Sequence, residues 1–173
     1  DRSGWIASGA MTRDPISEAH RQWVVHGWAD AADGMAMVTS VVRAQQLLME
    51  RIDAVLRPRG LTFARYEVLR LLSFTREAAM PMSRLGSLLQ VHPTSVTSAV
   101  DRLVAQGYVE RVRSDEDRRV VRAVLTDAGR EAVEEATAAL NGAVFEAPGL
   151  PGADVRALTA RLTALRTGRG DGA

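Results

Sequence analysis

One stretch of the chain, His92 to Thr126, is compatible with few folds: HPTSVTSAVDRLVAQGYVERVRSDEDRRVVRAVLT. Two hydrophobic periods follow one another within it. Val96, Val100, Leu103 and Val104 recur at helical spacing and define one buried stripe. Pro93 takes the first helical position, where its missing N–H costs nothing, with His92 just before it. Gly107 closes the helix where a left-handed residue is favoured. Beyond it, Tyr108 to Arg113 and Val120 to Leu125 are rich in β-branched residues. They flank Ser114-Asp-Glu-Asp-Arg-Arg119, a polar turn-forming cluster. The pattern predicts a short helix and then a two-stranded ribbon with an arginine-tipped turn.

The residues upstream give that helix a partner. Met82 to Gln90 carries Leu85, Leu88 and Leu89 as an apolar stripe, with Ser83 as its N-cap. The link Gln90-Val91-His92 is short, so the two helices must cross steeply. Such a pair is a helix-turn-helix, whose second helix lies in the major groove of double-stranded DNA. With the ribbon as a wing, the prediction becomes a winged helix. The outer face of the second helix carries Thr94, Ser95, Thr97, Ser98, Asp101 and Arg102. Small hydroxyls permit close approach to DNA and bond either phosphates or base edges. Ser83 and Pro93, at the two helix starts, are expected on the same surface. Read alone, this face is equally that of an ordinary solvated amphipathic helix.

At the tip of the ribbon, an arginine can enter the minor groove, where negative potential attracts it. Arg119 is the expected inserted side chain, with Arg118 on phosphates. Asp117, two residues before Arg119, is placed to bond its guanidinium and aim it. The alternative is a solvated acidic-basic turn.

The remainder reads as helical. A first helix is expected from Ser17 to about Ala32, with a break at Asp33-Gly34. A long helix follows to about Leu56 and ends at Pro58-Arg-Gly60. Thr62 caps the next helix, Thr126 caps one reaching about Phe145, and Asp154 to Leu165 forms the last. Residues 1–16 read as a leader, partly artificial or disordered, and residues 17–60 as N-terminal helices for dimerisation with a candidate ligand site. Residues 61–126 read as the DNA-binding domain, 127–166 as C-terminal dimerisation helices, and 167–173 as a disordered tail. The long helix and the last two helices carry more apolar surface than a compact winged helix covers. A homodimer resolves this, each outer helix packing on its partner copy. Two recognition helices then face a pseudo-palindrome with half-sites about one helical turn apart.

The order of these motifs resembles the MarR family of bacterial transcription regulators. The resemblance spans roughly Met35 to Arg166. It rests on the helix ending in Asp101-Arg-Leu, the Gly-Tyr-Val-Glu-Arg run from Gly107, the Asp117-Arg-Arg tip and the Leu125-Thr-Asp-Ala-Gly129 exit. Gly60-Leu-Thr-Phe-Ala-Arg-Tyr-Glu-Val-Leu69 is similar to the helix that precedes the family's helix-turn-helix. The resemblance implies a two-fold dimer, more often a repressor than an activator. It also implies the Asp117-x-Arg119 wing pairing. A small anionic or aromatic effector is implied between the dimer helices and the winged helix. Its candidate contacts are Trp23, His26, Trp28, Glu67 and Arg111. The N-terminal tryptophan helix is similar to the urate-responsive subset. The chain departs from that subset where Glu67 replaces an aspartate and Ala99 an arginine, so urate itself is not implied. Otherwise the tryptophans staple an extra helix to the dimer core.

Composition excludes several classes. Cysteine is absent, so there is no disulfide, thiolate metal site or thiol redox switch. All 22 basic residues are arginine, whose planar fork suits phosphate and guanine. The net charge of +1 argues against a sequence-indifferent, nucleoid-type DNA binder, which would be far more basic. No nucleophile elbow, phosphate loop or zinc signature is present, and no enzyme activity, metal or cofactor is expected. His20 and His26, six residues apart, are poorly spaced for one helical face. No apolar run spans a membrane and no secretory signal is evident, so the expected location is cytoplasmic. Two alternatives stay open: a winged-helix protein-interaction module, and a DNA-binding regulator that needs no ligand.

Overall fold

The computed structural model describes residues 14–89, 93–114 and 117–169. The expected leader falls largely outside these residues, as do the inter-helix link Gln90–His92 and the last four residues of the expected tail. The chain divides into two compact units, Asp1–Met49 and Glu50–Ala173.

In the first unit, α1 spans Pro15–Val25. Asp14 caps it by accepting from the Ser17 N–H at 3.0 Å, and Pro15 occupies the first turn. The helix therefore begins inside the stretch expected to be leader. It ends at His26-Gly27 rather than at Asp33-Gly34, with Gly27 at φ +88° and the Trp28 N–H on the Trp23 carbonyl at 2.9 Å. Helix α2, Ala29–Leu56, runs straight through Gly34. A lone glycine costs a helix only about 1 kcal/mol, and the alanines around it favour helix.

The second unit holds the winged helix. The expected stop at Pro58 is a single 3₁₀ turn, Arg57–Arg59. Thr62 caps α3, Phe63–Phe74, by accepting from the Arg65 N–H. A short strand β1, Ala79–Pro81, leads directly into α4, Met82–Leu89, and α5 follows as Pro93–Ala105. Strands β2, Val109–Arg113, and β3, Val121–Leu125, form the wing. Thr126 then caps α6, Asp127–Leu140, which continues into a π turn at Asn141–Phe145. Helix α7 is Gly152–Thr167.

The ribbon is not two-stranded. An antiparallel sheet forms in the order β1-β3-β2, with Met80 opposite Ala123 and Arg111 opposite Ala123 from the other side. Three residues are too few to show a period of two, so β1 left no hydrophobic signature. Pro81 is tolerated there because β1 is an edge strand.

The core lies where α3, α4, α5, the sheet and α6 meet. Leu69, Leu72, Leu85, Val100, Leu103, Val109, Ala123, Val133 and Leu140 are all buried. Two glycines hold the chain path there. Gly107 has φ +75°, and the Tyr108 N–H reaches the Leu103 carbonyl at 2.9 Å to close α5. At Gly129, in the first turn of α6, a Cβ would overlap the Tyr108 carbonyl oxygen. That same oxygen accepts from the Thr126 N–H at 3.1 Å. The glycine of Leu125-Thr-Asp-Ala-Gly129 is thus the place where α6 crosses the backbone entering the wing. Polar staples complete the packing: the Tyr66 hydroxyl meets Thr137, and Arg51 donates to the Ala143 and Ala147 carbonyls at 2.8 Å each. The Arg51 bonds hold the turn in which α6 widens to π geometry.

Candidate nucleic-acid interface

Helix α5 is oriented by its apolar stripe. Val96, Val100 and Leu103 are buried, which turns Thr94, Ser95, Thr97, Ser98, Asp101 and Arg102 outward. Val104 is not in the stripe; it is 40% exposed. Eight residues on from Val96 is about 80° around a helix, past the edge of the buried sector. Pro93 begins the helix as expected.

Ser83 lies in the first turn of α4 and is exposed, but it is not a cap: β1 runs into the helix at Met82 and places Ser83 inside it. Ser83, Gly86 and Ser87 line a cleft of about 210 Å³ with Val96 and Thr97 of α5. The hydroxyls of the two helices therefore share one surface.

The wing is tied to that surface by Arg111. Its guanidinium sits 2.5 Å from the Asp101 carboxylate and 3.4 Å from the Thr97 carbonyl. Alternation along β2 explains this. Val109 faces the core, so Arg111 points to the same side, toward α5. Arg111, expected as an effector contact, is placed as a strut between wing and helix. The signal was in the sequence, two residues after a buried valine and with an acid on the polar face of α5. On the other face of the wing, Arg122 of β3 pairs with Glu77 at 2.5 Å.

At the tip, Asp117, Arg118 and Arg119 are exposed. Asp117 does not bond the Arg119 guanidinium. Its Oδ1 accepts from the Arg119 backbone N–H at 2.9 Å, and its carbonyl accepts from the Val120 N–H at 2.9 Å. A short acid reaches its own backbone two residues on more readily than a long side chain can fold back to it. Asp117 therefore shapes the turn, and the Arg119 guanidinium has no hydrogen-bond or ion-pair partner among the described residues.

The other effector candidates belong to different units of the chain. Trp23 and Trp28 are 5.4 Å apart between ring centroids, and His26 stacks on Trp28 at 6.0 Å. This cluster belongs to the first unit. His20 bonds Asp33 at 2.8 Å while His26 is held on the Gln22 carbonyl, so the two histidines have different partners. Glu67 belongs to the second unit, where it lines a cavity of about 350 Å³ between α3, α4 and the end of α6. The other walls are Phe63, Tyr66 and Phe145, three leucines and Arg70. Burial raises the Glu67 carboxyl above the usual carboxylate range. Among the described residues, no group of three or more His, Asp or Glu is placed to hold a metal ion. No described helix is long and apolar enough to cross a membrane.

Comparison with known proteins agrees with this architecture. A family model described as MarR family matches residues 59–120. The chain is 44% identical to Sco5413, a MarR family transcriptional regulator from Streptomyces coelicolor. That match covers 81% of this chain and 97% of the other, with a TM-score of 0.73. Sco3205, a MarR family transcriptional regulator from the same organism solved in complex with DNA, is 25% identical with a TM-score of 0.70. It covers 79% of this chain and 88% of its own. Among curated proteins, YhbI of Bacillus subtilis, named an uncharacterized HTH-type transcriptional regulator, is 33% identical over 85 residues. That is 49% of this chain and 54% of YhbI, so the chain spans about half the length of the curated relatives it matches. Taken with the winged helix described above, the match to Sco5413 settles the family: this chain belongs to the MarR family of transcription regulators.

Proposed function

We propose that the protein is a homodimeric, sequence-specific DNA-binding regulator of the cytoplasm, a repressor released from a pseudo-palindromic operator by a small aromatic effector. It is a regulator and not an enzyme in this reading. The observation that carries it is the single surface formed by the hydroxyl face of α5 and the arginine tip of the wing, braced by Arg111 on Asp101. A braced wing fixes the spacing between a major-groove reader and a minor-groove reader. Thr94, Ser95, Thr97 and Ser98 read or anchor in the major groove, Ser83 and Arg102 take flanking phosphates, Arg119 enters the minor groove, and Arg118 takes phosphate.

Dimerisation is supported by apolar side chains left at the surface: Val38, Val42 and Leu47 on α2, and Leu158, Leu162 and Leu165 on α7. The cavity beside Glu67 is the effector site in this reading. It adjoins α4, the first helix of the helix-turn-helix, so filling it bears on the DNA-reading pair.

The test uses DNA from the intergenic region beside the gene, searched for an inverted repeat. Arg119→Ala should weaken binding by more than roughly tenfold, as losing an arginine from the minor groove does. Dimer mass and helix content should stay unchanged. An unaltered affinity would remove the wing from the interface.

A further inference from the structure

The charged groups of the 350 Å³ cavity decide what it can hold. Arg70 has its charge paired within the chain. Its guanidinium meets Glu134 at 2.9 and 3.0 Å, Ser73 at 3.1 Å and Thr137 at 3.0 Å. It also lies 5.2 Å over the Phe74 ring, and its Nε is buried without a hydrogen-bond partner among the described residues. Glu67 is in the opposite situation. Among the described residues it has no hydrogen bond or ion pair, although burial disfavours its charge.

The remaining wall is aromatic and aliphatic. Phe63 and Tyr66 stack with centroids 6.1 Å apart and planes 15° from parallel. Tyr66 keeps its hydroxyl on Thr137, 3.1 Å away. Aromatic faces carry negative potential and attract cations. Leu71, Leu88 and Phe145 supply surface for a flat apolar body. A carboxylate ligand entering here would meet the Glu67 carboxylate and, among the described lining residues, a single cation, Arg70, whose charge is already paired with Glu134. A protonated amine would meet an acid lacking a counter-charge.

We propose that this cavity binds an organic cation, a flat aromatic body carrying a protonated amine that seats against Glu67. The proposal rests on the cavity being the effector site and replaces the anionic class of ligand with its opposite. Dispersion against the rings and leucines supplies affinity, and Glu67 supplies the choice of charge.

The test is calorimetric titration of the full chain with two probes of one shape, 2-naphthylmethylammonium and 2-naphthoate, at neutral pH. The parent should prefer the ammonium by roughly tenfold or more, as a half-buried charge pair next to aromatic faces provides. Glu67→Gln, which keeps the shape and removes the charge, should bring the two probes to within about twofold of each other. Circular dichroism verifies that the variant is folded. Tighter binding of the naphthoate, or a preference that survives Glu67→Gln, overturns the cationic class while leaving the cavity as an effector site. If neither probe binds the folded parent, the cavity is not a ligand site, and both readings fall together.

Discussion

Helices α5 and α7 are both built on apolar stripes at helical spacing, and the fold treats them in opposite ways. On α5 the stripe of Val96, Val100 and Leu103 is fully inside, and what remains outside is hydroxyl, acid and arginine. On α7 no residue is buried: Leu158, Leu162 and Leu165 are 48%, 36% and 43% exposed. The first helix finishes its hydrophobic packing within the chain and spends its outer face on polar groups. The second leaves its packing unfinished. Apolar surface that a chain leaves uncovered marks recognition surface, and in the proposed reading its partner is a second copy with the same surface. In the proposed reading one helix is addressed to DNA and the other to another molecule of the same protein.

Three sets of substitutions probe this contrast. The largest effect belongs to α7. Leu158→Asp with Leu162→Asp should convert the dimer to a monomer in sedimentation, with the winged helix still folded. Operator affinity should then fall by roughly 100-fold or more, because a tethered second binding event adds about 10²–10⁴ to affinity. A dimer that persists would mean that α7 is a bystander.

A smaller effect is expected where α5 and the wing are held together. Gly129→Ala forces a Cβ against the Tyr108 carbonyl. Overpacking of this kind costs about 1–3 kcal/mol. Differential scanning calorimetry should show Tm lowered by roughly 2–4 °C for each kcal/mol. A melt unchanged to within about a degree would show that α6 shifts freely off the wing.

The smallest effect belongs to the brace. Asp101→Ala removes a half-exposed ion pair worth about 0–1 kcal/mol, so DNA affinity should fall only about two- to fivefold. Arg111→Ala should match it, and the double variant should add nothing further. Fully additive losses would indicate that each residue contacts DNA on its own.

How far the chain could be read in advance varied along it. The caps at Thr62 and Thr126 and the closure at Gly107 were legible because each depends on a few adjacent residues. The buried stripe of α5 was legible except at its margin, Val104, where periodicity alone does not define how wide the core is. The break between α1 and α2 was misplaced because both Gly27 and Gly34 follow helical sequence. Only the backbone bonds of a closing turn distinguish the glycine that ends a helix from one that rides through it.

The sequence alone determined the local order of helix, turn, helix and wing, and with it the chemistry offered to DNA. Those features follow from propensity, spacing and side-chain type, all short-range properties. Tertiary structure decided which partner each charged group takes. Arg111 went to Asp101, Arg70 to Glu134, and Asp117 to a backbone N–H, while Glu67 was left in a cavity with aromatic rings and without a partner among the described residues. It also decided that β1 joins the sheet. These outcomes depend on which surfaces arrive within a few ångströms of one another after the core has packed, and spacing along the chain does not carry that information.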